Sequence, residues 1–178
     1  MTKDSLLLKD KVLPRVNNLL IKCGESANVE LTSIVLFGSK ATGNKNSQNE
    51  YEVLVLLKND TTLEDYIKYT NMIRLELLKE KLSRVKILVF TPQTFQNLLF
   101  KEEMIGTYLY IICKNNIIMY DKDNAFVSIL RKILNSSVKQ EEKFIKQCIK
   151  FAKDLGSEKW GQKWEKALMN LKYEKNRG

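Results

Sequence analysis

The sequence of 178 residues contains no histidine, and its three cysteines, Cys23, Cys113 and Cys148, lie far apart in apolar segments. Zinc sites in proteins are usually built from closely spaced cysteine and histidine ligands. The chain therefore lacks the ligands for a Cys/His metal site, and we expect its cysteines to be buried thiols.

Long apolar runs are also missing. The longest purely apolar stretches, such as Ile34–Phe37 and Val53–Leu57, are far shorter than the ~20 residues that a transmembrane helix needs. Near the N-terminus, lysine and aspartate residues surround a run of three leucines, which is not the pattern of a secretory signal. These features predict a cytoplasmic protein with no membrane segment.

Residues that interrupt regular structure are scarce. Only two prolines and seven glycines occur, whereas 44% of the residues are hydrophobic. This composition excludes a largely disordered chain and predicts a globular protein with a substantial core.

Positive charge is in excess and is unevenly distributed. The formal net charge is +9, and residues from Lys122 onward contain 14 Lys/Arg against 7 Asp/Glu. The basic C-terminal helices are therefore candidates to bind nucleic acid or an acidic protein, and the alternative is an ordinary solvated lysine-rich surface.

The order of hydrophobic patterns predicts a small mixed α/β (α+β) domain, with a sheet of about four strands flanked by helices, over residues 1–121. A basic helical region of three helices follows over residues 122–178, with the boundary placed by composition. The predicted strands include Ile34–Phe37, a strand opening at Glu50, Val85–Phe90 and Ile117–Tyr120.

Several helix boundaries are also predicted. The first helix covers Ser5–Cys23, is kinked or divided at Pro14, and ends at Gly24. Capping signals place helix starts at Thr61 or Thr62, at Thr91-Pro92 and at Ser137, and Gly156 marks a helix end. The compact apolar run Met104–Cys113 is assigned to a helix.

The stretch from Leu31 to Leu57 carries the candidate chemistry. Gly38 follows an apolar strand, and it allows the backbone to turn tightly and approach a ligand closely. Ser39 can donate hydrogen bonds to a phosphate oxygen, and Lys40 adds positive charge. The sequence thus predicts a phosphate-binding corner at Gly38, Ser39 and Lys40.

Two acidic residues open the second strand. Glu50 and Glu52 are two positions apart, so their side chains leave the strand on the same face and can converge near the Gly-Ser corner. Each part is a weak signal alone, but together they have the arrangement of a phosphate-and-metal site.

This combination resembles the nucleotidyltransferase superfamily that includes DNA polymerase β. The superfamily pattern is an apolar residue before Gly-Ser, about ten residues, two acids separated by one residue, and later a third acid. The string LFGSKATG and the order of the following elements are similar to those of the single-domain minimal nucleotidyltransferases. The resemblance covers residues 10–121.

The resemblance implies metal-assisted transfer of a nucleoside monophosphate from a nucleoside triphosphate to a hydroxyl acceptor. Gly38 and Ser39 would hold phosphates, and Glu50 and Glu52 would be the catalytic carboxylates that bind Mg²⁺. A third acid on the third strand would bind one metal and accept the proton of the acceptor.

Lys86 occupies the position of that third acid. The substitution reverses the charge where a divalent cation should bind, and we expect Lys86 to pair with Glu50 or Glu52 instead. This charge reversal makes Lys86 a candidate for blocking the site. It also leaves open whether the chain is an enzyme.

Three hypotheses follow. The first is a degenerate member of this superfamily that keeps the fold and acts through a protein partner, with or without nucleotide binding. Minimal nucleotidyltransferases act as antitoxins beside helical toxins, so the resemblance implies a helical toxin-like partner, with a homo-oligomer as the alternative. The second hypothesis is an active transferase with altered metal use. The third is a nucleic-acid-binding protein that uses its basic C-terminal helices.

Overall fold

The structure is a computed structural model that describes residues 10–43, 50–101 and 103–175, with the side chains of 174 and 175 left out. Its described part is mixed α/β, as the sequence predicts: a four-stranded mixed sheet with helices, followed by a helical C-terminal segment. None of the helices in these ranges combines the length and apolar character needed to cross a membrane.

The sheet has the strand order β3-β2-β1-β4. β1 is antiparallel to both β2 and β4, and β2 is parallel to β3. A parallel neighbour requires a crossover connection, which the helix between β2 and β3 supplies. The strands are β1 (Leu31–Phe37), β2 (Tyr51–Leu57), β3 (Val85–Phe90) and β4 (Asn116–Asp121).

The chain forms two compact units, and the first contains residues up to Phe95 together with Asn115–Ser128. Besides the sheet, its described residues form a short 3-10 helix at Lys122–Asn124 and three complete α-helices: α1 (Val12–Ala27), the short α2 (Gly38–Ala41) and α3 (Leu63–Lys79). Alternate strand residues such as Ile34, Val53 and Val55 form one hydrophobic core with buried residues of α1 and α3. This burial follows the two-residue period of the strands and the helical period of α1 and α3.

The second unit contains Gln96–Lys114 and residues from Ile129 onward. Its complete helices are α5 (Met104–Lys114), α7 (Val138–Asp154) and α8 (Glu158–Lys175). The Tyr110 ring stacks on Phe144 with 4.5 Å between ring centroids, and Trp164 is 5% exposed. Two further helices, α4 (Pro92–Leu99) and α6 (Ala125–Leu134), each continue from one unit into the other. The domain boundary that composition predicts near Asp121 stays a prediction.

The N-terminal helix differs from its prediction. The described helix begins at Val12, so Pro14 lies in its first turn, where a missing N–H costs no hydrogen bond. The predicted start at Ser5, on which the predicted kink or division at Pro14 depends, lies outside the described residues. The predicted stop at Gly24 is wrong, because the helix continues to Ala27 and is capped by Asn28 in the left-handed conformation.

Gly24 has a packing role instead. A Cβ at this position would lie 2.2 Å from Cδ1 of Leu31 and 2.9 Å from the carbonyl oxygen of Val29. The glycine therefore lets the end of α1 approach the start of β1, a long-range requirement that local helix signals do not contain.

The capping predictions elsewhere are confirmed. The Thr62 hydroxyl accepts a hydrogen bond from the Asp65 N–H at 3.1 Å, and the Thr91 hydroxyl accepts one from Thr94 at 3.2 Å. Ser137 caps α7 by accepting from the Gln140 N–H at 3.2 Å, and α7 ends just before Gly156, whose φ is +64°. All three cysteines are buried and free, as expected.

Candidate functional site

One edge of the sheet brings the candidate residues together. β1 ends there, and β2, β3 and β4 all begin there. In the strand register Glu52 is paired with Phe37 on one side and with Lys86 on the other, and Phe37 is paired with Asn116 of β4. Paired residues point to the same face of a sheet, so these four side chains form one row across it.

Gly38 makes the corner at the end of β1. Its φ of +72° lies in the left-handed region, which favours glycine. A Cβ on Gly38 would lie 1.8 Å from Oε2 of Glu52, so the Glu52 carboxylate fills the space directly beside the corner. The two parts of the predicted motif, Gly-Ser and the acidic pair, are therefore in contact.

Glu52 is only partly exposed, and its environment disfavours the ionised carboxylate. Burial raises the pKa of Glu52 above its usual value, the nearby Lys86 ammonium lowers it, and the neighbouring Glu50 carboxylate raises it, with burial the largest effect. The Lys86 charge thus compensates part of the desolvation of Glu52.

Lys86 forms its direct ion pair with Glu50. Its ammonium lies 2.8 Å from Oε2 of Glu50, and the hydrogen bond to that carboxylate raises the pKa of Lys86. The side chains are 65% and 42% exposed, so the pair adds little stability. Its importance is chemical, because a positive charge is paired with one of the two carboxylates that the resemblance implies as metal ligands.

The residues present do not fit the metal that the motif implies. A divalent-metal site needs several oxygen ligands around one point. The motif supplies the carboxylates of Glu50 and Glu52, and the ammonium of Lys86 forms an ion pair with Glu50. Within the described ranges, no group of three or more His, Cys, Asp or Glu residues is arranged to hold a metal ion.

Beside the corner lies a second polar contact that sequence reasoning missed. The Tyr51 hydroxyl donates to the Asp10 carboxylate, with oxygen–oxygen distances of 2.9 and 3.2 Å, and burial together with Asp10 raises the pKa of Tyr51 to about 12. Asp10 also accepts from the Val12 N–H at 2.8 Å, at the start of α1. An aspartate before a helix is a recognisable capping signal, but nothing local indicates its tyrosine partner.

The same tyrosine also holds the lysine of the corner. The ammonium of Lys40 lies 4.8 Å from the centre of the Tyr51 ring, the geometry of a cation–π contact. Lys40 is thus positioned next to the Gly-Ser corner, and its role in binding phosphate stays a prediction.

Comparisons with known proteins add no family assignment. No protein-family model matches this chain, and a search of the curated proteins finds no match. The fold and the site geometry therefore carry the functional argument.

The raised pKa of Glu52 predicts how stability depends on pH. Below the ordinary carboxyl pKa, Glu52 is protonated in both the folded and the unfolded chain, so it has no effect on stability. As the pH rises, the unfolded chain releases this proton first, and the native protein loses stability. Glu52→Gln has no such loss, because glutamine does not titrate. We therefore expect the difference in melting temperature between this variant and the unmodified protein to increase in favour of the variant from pH 4 to pH 7 (roughly the titration range of a carboxyl).

Thermal unfolding followed by circular dichroism at several pH values measures this difference. Glu165→Gln is the matched control, because Glu165 is exposed on α8. A difference between Glu52→Gln and the unmodified protein that does not change with pH would contradict the prediction.

Proposed function

We propose that this chain is a non-catalytic member of the nucleotidyltransferase superfamily that acts by binding another protein. The single observation that carries the proposal is the Lys86–Glu50 ion pair at the position where a third acid and a metal would be needed. The motif residues and the mixed sheet support the family, and the ion pair supports the loss of catalysis.

The charge arrangement explains why the chemistry would fail. Two-metal phosphoryl transfer uses carboxylates to hold cations beside the reacting phosphate. At this site a cation would have to approach the Lys86 ammonium, which lies 2.8 Å from Glu50. Loss of a general base alone typically reduces a rate by about 10²- to 10⁴-fold. Repulsion of the metal would add to that loss.

Phosphate binding is compatible with this proposal. Ser39 and Lys40 are partly exposed at the corner, and Lys86 adds a second ammonium at the same edge of the sheet. These groups can attract a nucleotide phosphate without a metal ion. In such a protein the nucleotide would be a ligand and not a substrate.

The face of α3 opposite the core supports a protein partner. It carries large apolar side chains at helical spacing that are between 49% and 74% exposed: Leu63, Ile67, Leu75 and Leu78. The opposite side of the same helix buries Tyr69, Ile73 and Leu77 in the core. A row of exposed apolar side chains on one helix is typical of an interaction surface.

A paired experiment tests both halves of the proposal. The full chain, expressed in its native host, is expected to be recovered with one protein at fixed stoichiometry. It is also expected to transfer no nucleoside monophosphate from any of the four ribonucleoside triphosphates with Mg²⁺ or Mn²⁺. Leu75→Glu combined with Leu78→Glu should abolish recovery of the partner, because burying two carboxylates in an apolar contact is costly.

The control is Lys81→Gln combined with Lys101→Gln, which lowers the net charge by the same amount at exposed positions outside α3. If both double variants lose the partner equally, the proposal that the α3 face binds it would be contradicted. A stable homodimer with no second protein would contradict a separate partner. Metal-dependent transfer that Glu52→Gln abolishes would overturn the non-catalytic assignment and establish the active alternative.

A further inference from the structure

The outer face of α7 carries a row of lysines. Five lysines follow the helical period along its length: Lys139, Lys143, Lys146, Lys150 and Lys153. At about 100° per residue, these five positions fall within roughly 80° of arc and extend over about 21 Å of the helix axis. All five are exposed. We call this set the lysine row of α7.

The opposite face of α7 is packed inside its unit. Phe144, Ile145, Cys148 and Ala152 are all buried. Rotating α7 would expose these four side chains and bury the lysines, so the helix is held in its present orientation. The direction of the row toward solvent is fixed by the packing of the apolar side.

Acidic side chains among the described residues offset part of the row. Glu142 pairs with Lys146 at 2.8 Å, and Asp154 lies beside the end of the row. Glu141 points to the other side and pairs with Lys114 at 2.7 Å. The row thus keeps a clear excess of positive charge along the helix, which attracts a regularly charged anion.

We propose that the lysine row of α7 binds the sugar-phosphate backbone of double-stranded nucleic acid without reading its sequence. A straight row of ammonium groups matches a polymer that carries phosphates at regular intervals along a stiff axis. This inference is independent of the nucleotidyltransferase proposal, because it rests only on residues of the second unit.

Two features favour a duplex backbone over other polyanions. Single-stranded nucleic acid is usually held by aromatic platforms, but Phe144 is buried and Phe151 packs against Trp160, with 6.3 Å between ring centroids. Protein interfaces are usually anchored by apolar or aromatic side chains, and the row contains only lysine. Lysine also lacks the planar fork with which arginine recognises bases, so we expect no sequence preference.

α8 carries a shorter row with the same spacing, at Lys159, Lys163 and Lys166. These lysines are exposed, whereas Gly161 and Trp164 on the other side of α8 are buried. We assign the main contact to α7, because its row is longer and gives more phosphate contacts.

Fluorescence anisotropy with the full chain and labelled duplexes of about 20 base pairs, a length that exceeds the row, tests the proposal. If all five lysines contact phosphates, the logarithm of the association constant should fall with the logarithm of salt concentration with a slope of about −4 to −5. Lys143→Gln, Lys146→Gln and Lys150→Gln together should reduce the slope to about −2 and weaken binding on the order of 100-fold at ~0.1 M salt. Glutamine has a helix propensity close to that of lysine, so α7 should stay folded.

The matched control is Lys22→Gln, Lys68→Gln and Lys79→Gln, which removes the same charge from α1 and α3 of the first unit. Circular dichroism verifies that both triple variants are folded. A DNA duplex and an RNA duplex are compared to identify which kind of backbone is preferred. Binding of either duplex more tightly than a single strand supports the proposal. Equal loss in both triple variants, tighter binding of a single strand, equal competition by polyglutamate, or no binding at low salt would each overturn it.

Discussion

Lys86→Asp is expected to give this protein a divalent-metal site. The substitution removes the ammonium from Glu50 and places a carboxylate on β3 directly opposite Glu52 in the parallel register. Neighbouring strands are about 4.8 Å apart, so carboxylates at 50, 52 and 86 can surround one cation. We expect Mn²⁺ to bind the variant in the millimolar range or tighter and the unmodified protein not to bind it measurably.

Calorimetric titration with Mn²⁺ and thermal unfolding with and without the ion measure this gain. A metal at ten times its dissociation constant should stabilise the variant by about 1.4 kcal/mol. Lys86→Asn is the control, because it removes the positive charge without adding a ligand. Equal binding by the asparagine variant would show that charge removal alone suffices. Binding by the unmodified protein would contradict the argument that Lys86 excludes the metal.

The elements that could be predicted from the sequence are those whose ends are determined locally. β3 covers Val85–Phe90 as predicted, because the strand stops at Thr91-Pro92, where a capping hydroxyl and a proline start α4. α7 likewise lies between the Ser137 cap and Gly156. The pairing of Lys86 with one of the two acids was also predicted, because the resemblance places position 86 beside Glu50 and Glu52.

What could not be predicted depends on contacts between distant residues. Gly24 has the appearance of a helix stop, and only the approach of Leu31 shows why a side chain is excluded there. Tyr51 has the appearance of an ordinary core residue, and its hydroxyl partner, Asp10, lies 41 positions earlier in the chain. The sequence left open whether Lys86 pairs with Glu50 or Glu52. The structure resolves this choice because the Glu52 side chain is already packed beside Gly38, which leaves Glu50 accessible.

Gly38→Ala is expected to destabilise the fold by ~2 kcal/mol or more through two separable effects. The φ of +72° costs an alanine roughly 1–2 kcal/mol. The added methyl group would also lie 1.8 Å from Oε2 of Glu52, so the carboxylate must move out of its position beside the corner. Chemical denaturation of the variant measures the total loss of stability.

A double-mutant cycle with Glu52→Ala separates the two effects. In the Glu52→Ala background only the backbone strain remains, so Gly38→Ala should cost less there than in the unmodified protein. The difference between the two costs is the free energy of displacing Glu52. Equal costs in both backgrounds would contradict the close contact between the Gly-Ser corner and the acidic pair. Because that contact joins the two halves of the motif, the cycle tests whether the corner and the carboxylates form one site.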